Sequence, residues 1–240
     1  MSEAERELVE SFLEAYRHGA FPMAEPARTA SGRPRRVRRI DWFIPDPRAI
    51  INLSIAPGKP GGFHIPRSLA RRLRANPFTM TSDVAFGAVI RACAEPQPWR
   101  DDTWLDDRLI GAYQALHRAG HAHSIEAWGP PTVDGNRPLL GGIYGVHIGA
   151  AFCAESMFCR PEHGGTDASK VCLAYLVRHL RAQRFRLLDV QIANRHTAQF
   201  GVEAIPSSTY SGLLAAATTT HCEWGVVNPT WREPTEETAV

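Results

Sequence analysis

The sequence predicts an α/β (α+β) fold: a mixed sheet covered by helices, behind a small N-terminal module. Three observations carry this. Helical periods dominate the first half, period-two apolar runs begin near residue 121, and from residue 139 strand, helix, strand and helix follow in turn. An acetyltransferase-like architecture is one member of that class, and pattern alone does not choose among members. With 240 residues and 44% apolar side chains, the chain can bury a core without disulfides or metal staples.

In residues 3–18, Leu8, Phe12, Leu13 and Tyr16 recur at helical spacing and Gly19 stands where a helix ends. From Pro22 to Pro47, five prolines and the basic run RPRRVRR (33–39) read as largely irregular. PDPR (45–48) is a turn and IINL after it a short strand. Pro66 opens the helix RSLARRLR. Ser82 or Asp83 caps a second, with Phe86, Val89, Ile90 and Cys93 inward, and Asp106 starts a third, ended by Gly120. HAHSIEAW (121–128) and LLGGIYGVHIG (139–149) read as strands around a turn, while AAFCAESMF (150–158) is apolar but ambiguous. Asp167 caps a helix to about residue 183. RLLDVQIA (186–193) is a buried strand, RHTAQFG a short helix and Ser208 to Thr218 a last helix, followed by a loose tail. The expected divisions are 1–46 as the small domain, 47–232 as the catalytic domain and 233–240 as tail.

Lys and Arg outnumber Asp and Glu by 27 to 25, so a nucleic-acid partner must be argued from local clusters. The acidic N-terminus is not a secretory signal, and no apolar run nears the ~20 residues of a membrane helix. Five cysteines without a CxxC pair fit reduced thiols, so a cytoplasmic protein is expected.

Three constellations stand out. Arg67, Arg71 and Arg74 share one helical face at i, i+4 and i+7, flanked by Arg72, with Leu69 and Leu73 opposite. The stripe suits phosphates, and a solvated face remains the alternative. His117, His121 and His123 with Glu126 resemble a metal cluster, but a helix end and a strand beyond a turn do not converge readily, so no metal is expected. Glu155 and Asp189 interrupt apolar runs and must be paired or used. Gln191, two residues after Asp189, falls on the same strand face and could complete a hydrogen-bond relay. The phosphate-binding glycine motifs, GxSxG and the coenzyme A pyrophosphate loop are absent.

TW (103–104), AYQALHRAGHAHSIEAW (112–128), LLGGIYGVHIGAAFCAESMF (139–158), ASK (168–170) and LLDVQIANRHTAQFG (187–201) closely resemble the leucyl/phenylalanyl-tRNA–protein transferase family. GAFP (19–22), PDPRAII (45–51), HIPRSLARRLR (64–74) and DVAFGAVIRACA (83–94) extend the likeness in order, over roughly residues 12 to 215. The resemblance implies a bacterial acyltransferase with an acetyltransferase-like (GNAT-like) catalytic domain, using neither metal nor coenzyme A. It would move leucine or phenylalanine, with methionine as a further candidate, from aminoacyl-tRNA to an N-terminal Arg or Lys, marking the acceptor for N-end-rule proteolysis. A divergent transferase with another acceptor, or a non-catalytic tRNA- or peptide-binding module, are the alternatives. A monomer with no membrane contact is expected. By resemblance, Phe152, Met157, Ile143, Leu176 and Leu188 form the aminoacyl pocket. Asp189 and Gln191 orient and help deprotonate the acceptor amine, with Glu155 an adjacent substrate contact. Trp104 stacks near the tRNA's terminal adenosine, and Arg67, Arg71, Arg72 and Arg74 bind tRNA. Departures from the family are an absent N-terminal LLAxGGDL stretch, Met23 in place of an aromatic, residues 41–44, Ser207 and Ser208 in place of arginines, and the inserted basic run.

Overall fold

In the computed structural model, which describes residues 1–28, 34–55, 57, 59, 61–96, 103–194 and 197–231, a seven-stranded mixed sheet is flanked by helices and accompanied by a two-stranded ribbon. Helix α1 (Glu3–Arg17) begins at Ser2, whose hydroxyl accepts from the Glu5 N–H, and buries Val9, Phe12, Leu13 and Tyr16.

Residues expected to be irregular form the ribbon. Strand β1 (Phe21–Arg28) pairs antiparallel with β2 (Pro34–Phe43), Phe21 facing Phe43 and Met23 facing Asp41. A two-stranded ribbon has an outward edge on each strand, so Pro22, Pro26 and Pro34 need not interrupt its ladder. Within the basic run, Arg38 donates to the carbonyls of Ala24 and Thr103, and Arg39 pairs with Asp41; Arg33 lies outside the described residues.

Strand β3 (Arg48–Ile51) is fully buried. Helix α2 (Arg67–Ala75) buries Leu69 and Leu73, as its spacing predicts. Strand β4 (Thr79–Ser82), unread in the sequence, precedes α3 (Phe86–Ala94). Neither Ser82 nor Asp83 caps α3. Asp83 accepts instead from the Ser124 N–H and the His123 ring, so the cap position falls to Ala85. Helix α4 (Asp107–Arg118) is capped by Asp106, which accepts from the N–H groups of Arg108 and Leu109.

Strands β5 (Ala122–Trp128), β6 (Leu139–Ile148) and β7 (Ala151–Cys159) follow, β7 being the ambiguous apolar run. The glycines of β6 admit neighbours closely: a Cβ on Gly141 would lie 2.5 Å from that of Ala168, the first residue of α5 (Ala168–Ala182). Asp167 precedes α5 without a side-chain cap, since its carboxylate is held by Lys170 Nζ at 2.7 Å. Strand β8 (Leu187–Gln191), a short 3-10 turn over Ala198–Phe200, the unread strand β9 (Glu203–Ile205) and α6 (Ser207–Thr218) complete the order.

The sheet order is β4-β5-β6-β7-β8-β3-β9, and β7–β8 is its parallel pair. One core cluster lies between the sheet and α2 and α5; another joins α1, α3 and α4 to the opposite face. Residues after α6 also pack, with Trp224 and Val227 buried in the first cluster. The expected loose tail, 233–240, lies outside the described residues. No helix among them is long and apolar enough to cross a membrane.

Candidate active site

Parallel neighbours β7 and β8 pair only from Ala151 to Cys153 against Leu187 to Asp189. Beyond that, β8 stops at Gln191 while β7 continues to Cys159. The wedge between them holds a cavity of about 260 Å³. Its walls are Ile51, Ile143, Ala154, Met157, Leu173, Val190 and Phe200, with Glu155, Ser156, Asn194 and Thr197 as polar points.

Glu155 is the one acid on that wall. It is 9% exposed, and Oε2 accepts from Tyr113 Oη at 3.1 Å, which in turn lies 2.8 Å from Tyr16 Oη. Burial pushes its pKa up to about 7, against the lowering influence of Tyr16, Gln191 and Tyr113. The influence of Gln191 is not a completed bond, for Gln191 Nε2 and Glu155 Oε1 are both buried without a partner among the described residues. Two such atoms beside an open cavity are free to meet a polar ligand group. Around them, burial raises Tyr16, Tyr113 and Tyr144, keeping those phenols neutral.

Asp189 is off the cavity wall. Fully buried, it receives Arg48 Nε on Oδ1 at 2.9 Å and Arg48 Nη2 on Oδ2 at 2.5 Å, with Tyr210 Oη donating to Oδ2 at 2.8 Å. Burial works against the Arg48 charge, but Asp189 holds its pKa above the ordinary arginine value. The relay expected from period-two spacing takes another form. The Gln191 backbone N–H, not its side chain, donates to Asp189 Oδ1 at 2.8 Å. Gln191 has φ +63°, and the Ile192 N–H closes on the Val190 carbonyl at 2.8 Å, a tight γ-turn at the end of β8. Such a conformation costs on the order of 1–3 kcal/mol and persists only where the surroundings enforce it.

Of the other residues singled out in the sequence, Ile143 and Met157 line the cavity. Phe152, Leu176 and Leu188 lie in the core behind it, at most 1% exposed, and Leu173, one turn before Leu176, takes the wall. Trp104 is half-buried, edge-on to Tyr113 at 6.4 Å, and so behind Glu155 rather than on the cavity. Met23 packs half-buried in the same cluster. Arg67, Arg71 and Arg74 are exposed on α2, while Arg72 donates to the Thr166 carbonyl and covers the Phe78 ring. His117 Nδ1 donates to the Ala122 carbonyl, His123 stacks on Trp224 at 4.3 Å, and buried Glu126 accepts from Ser124 and Thr81. Among the described residues no three His, Cys, Asp or Glu side chains converge as a metal site would.

Arg48 and Tyr210 were not singled out in the sequence, and Tyr16 and Tyr113 stood there only as inward-facing helix positions, not as site residues. The tyrosines sit on apolar helical stripes, where a hydroxyl is invisible to periodicity. Arg48 did carry a signal: an arginine opening the apolar run RAII is a charge that must find a buried partner.

An apolar cavity with a buried acid on its wall can hold an apolar group beside a carboxyl. Comparison with known proteins agrees. Residues 59–215 match the family model described as leucyl/phenylalanyl-tRNA protein transferase. The leucyl/phenylalanyl-tRNA–protein transferase of Novosphingobium aromaticivorans is 44% identical over 87% of this chain and 70% of its own. Those of Gluconobacter oxydans and Rhodopseudomonas palustris are 41% and 44% identical, over 88% and 84% of this chain and 83% and 79% of theirs. The chain therefore belongs to the leucyl/phenylalanyl-tRNA–protein transferase family and is an enzyme, a transferase.

Proposed function

We propose that this protein transfers leucine or phenylalanine, and methionine as a further donor, from aminoacyl-tRNA to a protein N-terminus beginning with Arg or Lys, marking it for proteolysis. The observation that carries the reading is Glu155: a buried carboxyl with a pKa near 7, on the wall of an apolar cavity. The donor's side chain occupies the cavity, with Ile143, Met157, Leu173 and Phe200 around it. This brings the ester to the polar end, beside Glu155 and the Gln191 amide.

The ester is already activated, so the enzyme's task is to orient the acceptor amine and move one proton. The amine attacks the ester carbonyl as Glu155 takes a proton from nitrogen. The C–O bond to the ribose then breaks, and the proton passes to the leaving hydroxyl, so Glu155 ends ionised as it began. A carboxyl poised near neutrality suits both halves of this exchange. Asp189, with its oxygens occupied, orients Gln191 rather than taking the proton itself.

Arg67, Arg71 and Arg74 meet tRNA phosphates along α2, which packs on α5, the helix that supplies Leu173 to the cavity. The short parallel pairing of β7 and β8, with the cavity in their wedge, supports an acetyltransferase-like arrangement of the sheet. The test is direct: purified protein, labelled leucyl-tRNA and a peptide starting with Arg. Label should appear at the peptide N-terminus, and should not appear when the peptide begins with Glu. No transfer to either peptide would overturn the assignment.

A further inference from the structure

We propose that Arg48 and Tyr210 are positioning residues of this reaction: they fix the Asp189 carboxylate so that it holds Gln191 in its left-handed turn and aims the Gln191 amide at Glu155. The inference rests on the site reading above, and it assigns a role to two residues outside the cavity.

Asp189 receives four donors, two on each oxygen: Arg48 Nε and the Gln191 N–H on Oδ1, Arg48 Nη2 and Tyr210 Oη on Oδ2. A carboxylate has about four lone-pair directions, so none is left for a substrate. The guanidinium is held from every side. Its Nη1 donates to the Gly19 carbonyl at 2.7 Å, just past α1, and its Cζ lies 5.1 Å from the Phe21 ring centre and 4.6 Å from that of Tyr210. Gly19 has φ +79°, and a Cβ there would come within 3.0 Å of the Tyr210 ring. The turn after α1, strand β3 and helix α6 thus meet around one guanidinium–carboxylate pair. Opposite β3, the ladder to β8 slips by one residue between Ala49 and Ile50, where the Gln191 turn begins.

This arrangement is more than a structural tie. A buried ion pair gives little net stability compared with apolar side chains of equal volume. What it supplies is an acceptor at a fixed point, under the N–H of a residue whose backbone would not choose that conformation. Gln191 Nε2 and Glu155 Oε1 are then both buried with no partner among the described residues. A cycle of Tyr210→Phe, Gln191→Ala and the double variant separates positioning from packing, because Tyr210→Phe keeps the ring under Arg48 and removes only the donor.

Transfer from leucyl-tRNA to the Arg peptide should lose about tenfold in kcat in Tyr210→Phe, with KM for leucyl-tRNA within about twofold. Arg48→Lys, which keeps the charge but not the two-pronged contact, should show the same split. In the double variant, removing the Tyr210 hydroxyl should cost less than about twofold beyond Gln191→Ala. Full kcat in Tyr210→Phe, or losses that multiply in the double variant, would overturn the proposal. Hydrogen exchange of the Gln191 backbone amide, read by NMR, needs no turnover. It should speed up at least about tenfold in Tyr210→Phe, and unchanged exchange refutes the clamp. A wild-type protein that transfers nothing would instead refute the functional reading, leaving the exchange measurement to decide the clamp.

Discussion

Glu155 is where burial and chemistry oppose each other. Its folded pKa of about 7 stands above the ordinary 4.5, so the native state keeps a proton that the unfolded chain releases between those values. The stability linked to this group is present below about pH 4.5 and is lost as pH rises to 7, on the order of 3 kcal/mol in all. The proposed reaction runs the other way, since its proton acceptor must be ionised. Glu155→Gln should therefore reduce transfer at least about a hundredfold, while wild-type kcat climbs with pH through about 7. The same variant should be more stable than wild type at pH 8 and nearly equal at pH 4.5. Urea unfolding at both values checks this; a variant less stable at pH 8 would mean that the tyrosine donors fully satisfy the ionised carboxylate.

Among elements, α2 sets its cations in two environments. Arg67, Arg71 and Arg74 are exposed opposite Leu69 and Leu73, whereas Arg72 is spent on the Thr166 carbonyl and the Phe78 ring. Alanine at 67, 71 or 74 should each raise KM for aminoacyl-tRNA whichever amino acid is carried. Each should also flatten the slope of log binding constant against log salt by about one. An aminoacyl-adenosine donor lacks those phosphates and should be used as before. Equal loss with both donors would make the stripe structural. Arg72→Ala should in addition lower Tm. The face of this helix was legible because two leucines four residues apart orient it completely. The β1–β2 ribbon was not, because prolines and arginines are weak strand formers and only pairing with the other strand makes them one.

Across the molecule, the segment after α6 closes over the sheet, and two histidines flank its anchor Trp224. It stacks on His123, meets His179 edge-on at 4.5 Å and lies near Phe152. Burial depresses His147 and His179 to about 4, so both are neutral in the native state while the unfolded chain titrates near 6.5. The unfolded state then binds more protons below 6.5, and stability falls with pH from about 6.5 toward 4, by a few kcal/mol for each residue. Denaturant unfolding followed by tryptophan fluorescence should show that loss, shallower in His179→Asn. A profile flat between pH 6.5 and 4.5 would contradict it. Glu155 acts with the opposite sign in part of this window, so the slope is cleanest in a Glu155→Gln background.

Local pattern in the sequence determined α1 to α6, strands β3, β5, β6 and β8, and the prominence of Glu155, Asp189 and Gln191. Helical stripes, the cap at Asp106 and charges inside apolar runs are all set by near neighbours in the chain. Only the tertiary structure decided what those charges do. Asp189 meets Arg48, 141 residues earlier, and Tyr210, 21 residues later. Glu155 meets Tyr113 and, through it, Tyr16. Whether Leu173 or Leu176 lines the cavity depends on how α5 lies across the sheet, and both belong to the same apolar stripe. Periodicity tells which side of an element is buried. Which buried residues border a cavity depends on where β7 and β8 part, a property of the sheet that no single segment contains.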